Sequence, residues 1–333
     1  MQFTRRSFMG TLASGTLAAM ASPLTAQAQG AQYPARRLTL VVPFDAGGSA
    51  DRMARAISTH LPRHLGGTPV TVVNRPGGSG ALGHSWFIRQ PSDGSVALVS
   101  PTNPYLISNI LRKQGGMNWE DFHHVNGQWQ DYYVVLVNNA QPYTTMAELL
   151  ADIRDNPGKV SCGIIPGDGG HLSAVILLEQ LQIPTENVNW VTYDGGGPMR
   201  TAIAGDQTTM TFISALGSEV IRDQVRPLAV YRDEKDAEMW DAPTINEAIS
   251  ELGVEVPVIE ADLRTLTVHR EFIESHPDRY EQLVAAYRAM LDDPEFQAFI
   301  QAGRIGGNWM GPEDTTASLQ RSYDIFAEYI DRL

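Results

Sequence analysis

The sequence is poor in cysteine and has no surplus of basic residues. Among its 333 residues Cys162 is the single cysteine, so no disulfide can form within one chain. The neighbours of Cys162 have the composition of a buried strand, so we expect a packed thiol rather than a nucleophile. The formal charge is −13, from 38 acidic and 25 basic residues. A chain this acidic is a poor partner for nucleic acid or for an anionic membrane surface.

Motifs of the common enzyme classes are also missing from the sequence. There is no H-E-x-x-H, P-loop, C-x-x-C or G-x-S-x-G pattern. His123 and His124 are adjacent, so their side chains diverge on a regular element and do not form a chelating pair. A catalytic triad that assembles in space stays open as an alternative, but no local pattern indicates one. We predict no cofactor and no metal.

Residues 1–28 have the three parts of an export signal. A short charged part contains Arg5 and Arg6, and an apolar part extends from Phe8 to Leu24. Ala26-Gln27-Ala28 then supplies the small-x-small pattern of a cleavage site. We therefore expect cleavage near Ala28 and a periplasmic protein. Loss of the two arginines, with no carboxylate among these residues, would change the formal charge from −13 to −15.

The run from Thr4 to Met9 resembles a twin-arginine export signal, and an ordinary secretory signal that carries two arginines is the alternative. No cysteine follows the cleavage site, so a lipid anchor is not expected. Beyond the signal, no apolar run approaches the ~20 residues that a membrane-spanning helix needs.

After residue 28, short apolar runs alternate with amphipathic segments, which is typical of βα units. We predict one series with strands 37–43, 69–73 and 95–100 and helices 50–64 and 81–90. A second series has strands 132–137, 159–165, 188–193, 208–214 and 225–231 and helices 146–154, 171–181, 198–204 and 218–224. Three helices with proline at their starts follow, at 277–291, 294–302 and 312–332.

Two α/β series followed by helices indicate an α/β protein with two lobes, a ligand cleft between them and a helical C-terminal segment. We assign 29–128 plus 242–333 to the first lobe and 129–241 to the second. The hinge crossovers are then expected near 129 and 232–242.

Four glycine-rich turns lie where a predicted strand leads into a helix, which is where open α/β sheets bind ligands. The first extends from Pro43 to Asp51. Adjacent glycines allow positive φ and close approach of the backbone, and the helix start offers unpaired N–H groups. Ser49 is expected to be the N-cap. A tight turn without a ligand is the alternative. The candidate ligand-binding residues here are Phe44, Asp45, Ala46, Gly47, Gly48, Ser49 and Asp51.

The second turn contains a formal G-x-G-x-x-G from Gly78 to Gly83. We reject a dinucleotide site, because the motif follows the second strand and no acidic residue stands ~20 positions later. The candidates here are Asn74, Gly78, Ser79, Gly80 and Ala81, together with Thr102 and Asn103 after the third strand.

The third turn, Pro166 to His171, and the fourth turn, Tyr193 to Pro198, belong to the second series, so that four helix starts are expected to face one cleft. That arrangement would suit a ligand with an acid group at each end. His171 would either donate to the ligand or cap its helix, and Tyr193 would either line the pocket or end a buried strand. The candidates are Gly169, Gly170, His171, Tyr193, Gly195 and Gly196.

These residues form a pattern that resembles the solute-binding receptors of the tripartite tricarboxylate transporters, the Bug-type receptors. The resemblance spans nearly the whole chain after residue 28 in order. It is carried by Tyr33-Pro34, Leu40 to Phe44, Ala46-Gly47-Gly48 with Asp51, Val73 to Gly80, Pro91 to Gly94, Gly169 to Leu172, Tyr193 to Pro198, Val225 to Val230 and Ala242 to Ala248.

The resemblance implies a type II-like periplasmic-binding-protein fold and a receptor rather than an enzyme. Such a receptor closes its lobes on a small organic acid, here a mono- or dicarboxylate, aromatic acids included, and delivers it to a two-subunit membrane permease. The first-lobe glycine loops would hold one carboxylate through main-chain groups, and the second-lobe loops would select the rest of the ligand. A monomer is expected. Input to a sensor kinase is an alternative role, and an enzyme acting on a carboxylate is a more distant one.

Three positions depart from the family pattern. Asp45 stands where the family usually has a small or apolar residue, and it would either face solvent or favour an amine or hydroxyl on the ligand. Met199 replaces a small residue, and the segment Leu263 to Arg270 lacks a proline-rich turn. These departures concern the identity of the ligand rather than the role of the protein.

Overall fold

The computed structural model describes residues 33, 36–193, 195–259 and 261–332, so the predicted export signal lies outside the described residues. Two five-stranded sheets are present within these ranges. Their strands are β1 (Leu38–Val42), β2 (Val70–Asn74), β3 (Val96–Pro101), β4 (Phe122–Trp129), β5 (Tyr133–Asn138), β6 (Ser161–Ile164), β7 (Asn189–Thr192), β8 (Met210–Ser214), β9 (Val225–Val230) and β10 (Leu263–His269).

The two sheets have the same arrangement of strands. The first has the order β2-β1-β3-β10-β4, and the second has the order β7-β6-β8-β5-β9. In each sheet the first three strands are parallel, and the fourth runs antiparallel to both of its neighbours. Because parallel strands need crossover connections, helices cover the faces of both sheets. The predicted α/β class with two lobes is confirmed.

The helices begin at recognisable sequence signals. Thr145 caps the helix Met146–Asp155 in a reciprocal capping box with Glu148, and proline occupies the first turn of each of the last three helices. No helix among the described residues is long and apolar enough to cross a membrane. The helices are α1 (Ser49–His60), α2 (Ala81–Ile88), α3 (Ile107–Leu111), α4 (Met146–Asp155), α5 (Gly169–Gln180), α6 (Gly196–Ala204), α7 (Ile245–Ala248), α8 (Arg270–Ser275), α9 (Pro277–Leu291), α10 (Pro294–Gly303) and α11 (Gly311–Tyr329).

Strand β1 shows how the sheets are packed on both faces. Leu38, Leu40 and Val42 join the apolar cluster beneath α1, α9 and α10, whereas Val41 points to the opposite cluster with Phe87. This alternation follows from the two-residue period of a strand. The second sheet is covered on both faces in the same way. Cys162 lies in β6 and is fully buried, as predicted.

The chain passes between the sheets twice. Residues 130–132 connect β4 to β5, and residues 231–262 connect β9 to β10. Within the second connection, Ile245, Ile249, Val256 and Ile259 pack in the apolar cluster of the second sheet. The division into lobes at 129 and 232–242 stays a prediction.

Two strands, β4 and β10, were absent from the sequence-based prediction. Each of these buried strands carries polar residues, which interrupt the apolar pattern. In the structure these polar groups are paired: Thr265 Oγ1 lies 2.7 Å from Thr102 Oγ1, and Thr267 Oγ1 lies 3.0 Å from His124 Nδ1. The predicted helix 218–224 is a 3-10 helix, and the predicted helix 50–64 ends at His60, followed by a 3-10 turn that contains Pro62.

Candidate functional site

A cleft of about 900 Å³ lies where the parallel strands of both sheets end. It is lined by the segments that follow β1, β2 and β3 in the first sheet and β6, β7 and β8 in the second. This is the position at which open α/β sheets bind ligands. The predicted residues that line it are Phe44, Asp45, Gly47, Gly48, Ser49, Gly78, Ser79, Gly80, Tyr193, Gly195 and Gly196.

The loop after β1 presents the start of α1 to the cleft. Gly47 has a φ of +88°, a conformation that favours glycine. Gly48 is the N-cap of α1 and contributes no side-chain cap. The prediction that Ser49 is the N-cap is therefore wrong, because Ser49 is already the first helical residue. The first N–H groups of the helix have no partner within it, so they are available to an acceptor in the cleft.

Asp51 and Asn74 support this loop from behind and do not line the cleft. Asp51 is buried and accepts hydrogen bonds from Gly47 N at 2.8 Å and from Arg55 Nε at 2.8 Å. Asn74 Nδ2 donates to Asp51 Oδ1 and to the carbonyl of Phe44, each at 3.0 Å. Burial alone would raise the pKa of Asp51, but these hydrogen bonds outweigh it and hold the pKa below its usual value.

The loop after β2 has an unusual backbone. Gly77, Gly78, Ser79 and Gly80 all have positive φ, and Gly80 is the left-handed N-cap of α2. Asn109 Nδ2 stabilises this run by donating to the carbonyl of Ser79 at 3.1 Å. The four residues therefore form a tight bend at the cleft that only a glycine-rich segment adopts at low cost.

Several predicted residues lie outside the lining of the cleft. Thr102 and Asn103 are buried, and Asn103 Nδ2 donates to the carbonyl of Ala261 at 3.3 Å. Ala46 is exposed, and Ala81 is the first residue of α2.

The third turn is close-packed around its glycines. A Cβ at Gly170 would lie 2.4 Å from the carbonyl oxygen of Phe212, and one at Gly169 would lie 2.8 Å from the ring of Tyr133. These glycines therefore allow α5 to pack against the second sheet. The side chain of Asp168 caps α5 by accepting from His171 N at 2.7 Å, and Asp168 and Pro166 of this turn line the cleft.

His171 also lies away from the cleft lining. Its ring packs edge-on against Trp190 with the centroids 5.3 Å apart, and its Nδ1 accepts from Gly167 N at 3.4 Å. Burial and the nearby Arg112 lower the pKa of His171 to about 4. A neutral histidine is therefore expected at physiological pH.

The fourth turn brings an arginine to the cleft that the sequence-based prediction missed. Tyr193, Gly195 and Gly196 line the cleft, whereas Asp194 lies outside the described residues. Arg200 follows on α6, close to Gly196, and among the described residues no carboxylate forms an ion pair with it. Burial lowers its pKa against the opposing effect of nearby acids, but an arginine stays charged. Arg200 lies near the start of a helix that begins with glycines, and this position was the one sign in the sequence that it could reach the cleft.

Arg264 is a second arginine that the prediction missed. It is buried at the start of β10, and its Nε donates to Ser49 Oγ at 2.6 Å. Its Nη2 lies 3.0 Å from Asp262 Oδ2, and its guanidinium stacks over Trp129 at 4.6 Å. The sequence offered little signal for Arg264, because β10 itself was not predicted as a strand.

Asp131 lies next to Arg264, in the connection between β4 and β5, and does not line the cleft. It is buried, and its Oδ1 accepts from Tyr132 N at 2.8 Å and from Leu216 N at 3.1 Å. Its Oδ2 lies 3.8 Å from Arg264 Nη2. Burial raises the pKa of Asp131 to about 7, although Arg264 acts in the opposite direction.

Comparison with known proteins places this chain in a family. The profile of the tripartite tricarboxylate transporter family receptor, TctC, matches residues 53–312. Protein BugT from Bordetella pertussis is 27% identical over 236 residues, which cover 69% of this chain and 70% of BugT. The predicted resemblance to Bug-type receptors is confirmed.

Solved structures share the fold over most of the chain. A TctC solute-binding protein from Polaromonas, solved with no ligand, has a TM-score of 0.72 and 22% identity, covering 90% of this chain and 100% of that one. Rpa4515 from R. palustris, solved with adipate, has a TM-score of 0.69 and 25% identity, covering 90% and 97%. The predicted periplasmic-binding-protein fold is confirmed, and the chain belongs to the tripartite tricarboxylate transporter receptor family as a substrate-binding receptor rather than an enzyme.

Proposed function

We propose that this receptor binds a small organic carboxylate in the periplasm, closes its lobes around it and delivers it to a two-subunit membrane permease. The observation that carries the proposal is that the unpaired helix start of α1 and the guanidinium of Arg200 line the same cleft from different sheets. The adipate in Rpa4515, a relative with the same fold, supports a carboxylate as the ligand class.

The two sides of the cleft suit the two ends of such a ligand. A carboxylate at Gly48 and Ser49 would accept main-chain hydrogen bonds, each worth on the order of 1.5–3 kcal/mol when charge-assisted. A second acid group would meet Arg200, whose planar fork matches a carboxylate in a bidentate pair. Contacts to both sheets favour the closed form, because a ligand shifts an equilibrium towards the state that it binds better. The hinge crossovers predicted near 129 and 232–242 are part of this proposal.

Ligand identity is tested first by native mass spectrometry of protein purified from the periplasm without refolding. We expect a mass excess in the range of a small organic acid. A thermal-shift panel of mono-, di- and tricarboxylates, aromatic acids included, then follows. At a hundredfold excess over Kd the ligand adds about 2.7 kcal/mol of stability, which is a shift of roughly 5 °C or more. If sugars or cations stabilise the protein and no carboxylate does, the proposal is wrong.

Delivery is tested separately by uptake of the labelled ligand into membrane vesicles that contain the two-subunit permease. Uptake should require the added receptor, and it should stop when the permease is absent. Co-purification of the loaded receptor with a sensor kinase, together with uptake that does not need the receptor, would instead support the sensing role. Light scattering of the same preparation tests the expected monomer.

A further inference from the structure

A buried polar network lies next to the loop after β2, whose bend extends from Gly77 to Gly80. The network is formed by His84 on α2, Ser100 in β3 and Asn109 on α3. His84 and Ser100 are fully buried, and Asn109 is 3% exposed. None of these three residues lines the cleft, whereas all four residues of the bend do. The network can therefore act on a ligand through the loop rather than by direct contact.

The contacts of Asn109 fix the orientation of its side-chain amide. Its Nδ2 lies 3.1 Å from the carbonyl oxygen of Ser79 and 3.1 Å from His84 Nδ1. A carbonyl oxygen can only accept, so the atom that faces Ser79 is the amide nitrogen and not the amide oxygen. The two N–H groups of this nitrogen serve the two contacts, and His84 Nδ1 is the acceptor of the second one.

His84 therefore carries its proton on Nε2. Burial lowers the pKa of His84 to about 3, so the ring is neutral near pH 7 and has a single N–H group. Since Nδ1 accepts from Asn109, that N–H group belongs to Nε2 and donates to Ser100 Oγ at 2.8 Å. Both ring nitrogens are paired, which holds the Asn109 amide in place beside the loop.

The backbone of the bend needs such support. Its φ angles are +129° at Gly77, +58° at Gly78, +49° at Ser79 and +90° at Gly80. Ser79 is the member with a side chain, and a left-handed conformation at such a residue costs free energy and persists where the surroundings hold it. The hydrogen bond from Asn109 acts on this residue.

The same hydrogen bond sets the direction of a main-chain donor. The carbonyl of Ser79 and the N–H group of Gly80 belong to one trans peptide, in which the two bonds point in opposite directions. Because the carbonyl faces Asn109, the N–H group of Gly80 points away from Asn109. Gly80 lines the cleft. The bond to Asn109 thus orients a donor in the wall of the cleft.

Packing leaves the backbone at Gly80 little room to move. A Cβ at Gly80 would lie 2.9 Å from His84 Cε1 and 3.1 Å from the ring of Phe44. Phe44 packs edge-on against Tyr105 with the centroids 5.1 Å apart, and both rings line the cleft. Gly80 therefore fits closely between the buried network and the aromatic part of the cleft wall.

We infer that Asn109 and His84 are positioning residues for ligand binding, and that they orient the Ser79–Gly80 peptide so that its N–H group meets the carboxylate of the ligand. Asn109 binds the Ser79 carbonyl, and His84 holds the Asn109 amide and packs on Gly80. The inference rests on the proposed function, since the donor serves a carboxylate in the same cleft. Without the network the peptide can rotate, and the affinity falls by the fraction of molecules that keep the binding orientation.

Isothermal titration calorimetry of Asn109→Ala tests this inference, with adipate as the first probe. Where adipate does not bind the wild type, the member of the carboxylate panel that stabilises the wild type most takes its place. We expect Kd to rise about three- to tenfold, which is the loss expected when a donor is no longer held for the ligand.

Asn138→Ala is the matched control for Asn109→Ala. Asn138 is also buried, and its Nδ2 donates to the carbonyls of Ile203 at 2.8 Å and Ala204 at 3.0 Å. It ends β5 and lies outside the cleft lining. The control therefore loses the same number of hydrogen bonds at a distant place. Its melting temperature should fall in a similar way, while its Kd stays within about twofold of the wild type.

Asn109→Asp separates the two contacts of the amide. An ionised carboxylate can only accept, so it cannot bind the Ser79 carbonyl, whereas His84 can restore its own contact by carrying a proton on Nδ1. We expect this variant to bind as weakly as Asn109→Ala. Nitrogen-15 NMR should show a neutral His84 ring protonated on Nε2 in the wild type from about pH 5 to pH 8, above its lowered pKa, and protonation on Nδ1 in Asn109→Asp.

The outcomes separate this inference from the proposed function. If a carboxylate binds the wild type and Asn109→Ala equally well, the inference is wrong and the proposed function stands. An equal loss of affinity in Asn138→Ala would mean that general destabilisation is the cause, and the inference is again wrong. A wild-type ring protonated on Nδ1 would overturn the role of His84. If no carboxylate of the panel binds the wild type, both fail. Should Asn109→Ala not fold, Asn109→Asp decides.

Discussion

Arg264 Nε donates a hydrogen bond to Ser49 Oγ at 2.6 Å, which joins the start of β10 to the start of α1 across 215 residues of sequence. The same guanidinium pairs with Asp262 at 3.0 Å and stacks over Trp129. One side chain therefore contacts the predicted anion-binding loop, Asp262 in the lining of the cleft and the end of β4. It orders residues from three distant parts of the chain around the site.

Replacing Arg264 with methionine should destabilise the protein. Asp131 and Asp262 would then share a buried region without the contacting cation, and loss of one partner of a buried ion pair costs about 3–5 kcal/mol. Chemical denaturation followed by circular dichroism measures the free energy of unfolding.

Lys235→Met provides the control for that experiment. Lys235 pairs with Glu247 at 3.1 Å, and both side chains are more than half exposed. An exposed pair contributes about 0–1 kcal/mol, so this variant should unfold almost like the wild type. Equal losses in the two variants would contradict the structural role of Arg264.

The sequence predicts most of the fold because strands and helices here follow local periodicity. In β1, alternate residues enter opposite apolar clusters, and this alternation is visible in the sequence itself. Strand β10 escaped prediction because its threonines look polar until their buried partners are known. Pairing partners distant in sequence leave no periodic signal.

The candidate site was predictable to the level of its turns but not of its side chains. Glycine-rich turns that follow parallel strands mark the cleft wherever they occur in such a sheet. The glycines of the third turn look the same in sequence as those of the first, yet Gly170 packs against Phe212 while Gly48 faces the cleft. Arg200 and Arg264 reach the cleft through packing that no local motif records.

The stability of the ligand-free protein should fall as the pH rises from 6.5 to 8. Burial raises the pKa of Asp131 to about 7 and of Asp168 to about 8, against about 3.9 in an unfolded chain. The folded state therefore binds more protons, and each such group subtracts up to about 1.4 kcal/mol per pH unit until its folded pKa is passed. Buried histidines with lowered pKa act in the opposite direction, but below about pH 6.5.

Asp168→Asn isolates one of these contributions. The variant keeps the cap on α5 and removes the titrating group, so its stability should decline less steeply over the same range. Denaturation midpoints at half-unit pH steps measure the difference between the two proteins. Parallel profiles would mean that Asp168 is ionised at the same pH in the folded and unfolded states.

Gly170→Ala should destabilise the protein, whatever its ligand. The new Cβ would lie 2.4 Å from the backbone oxygen of Phe212, which cannot rotate away, so α5 must shift at a cost of about 1–3 kcal/mol. Gly195→Ala is the matched control, because nothing lies within 4 Å of the position that its methyl group would take and its φ of 173° suits any residue. Thermal melting should separate the two variants by several degrees. A stable Gly170→Ala protein would contradict the packing role given to the third turn.

Gly48→Val should abolish ligand-induced stabilisation while leaving the protein folded. Gly48 has a φ of −68°, and a Cβ there would have only an ordinary 3.6 Å contact with the carbonyl of Asp45. A branched side chain at this position would cover the helix start that we expect to hold the carboxylate. This variant is a sharper test than one at Gly47, whose positive φ would add backbone strain. Ala140→Val, exposed in the turn after β5 at the end of the sheet remote from the cleft, should bind like the wild type. Thermal-shift titration with the ligand found by mass spectrometry measures both, and unchanged stabilisation in Gly48→Val would place the carboxylate elsewhere in the cleft.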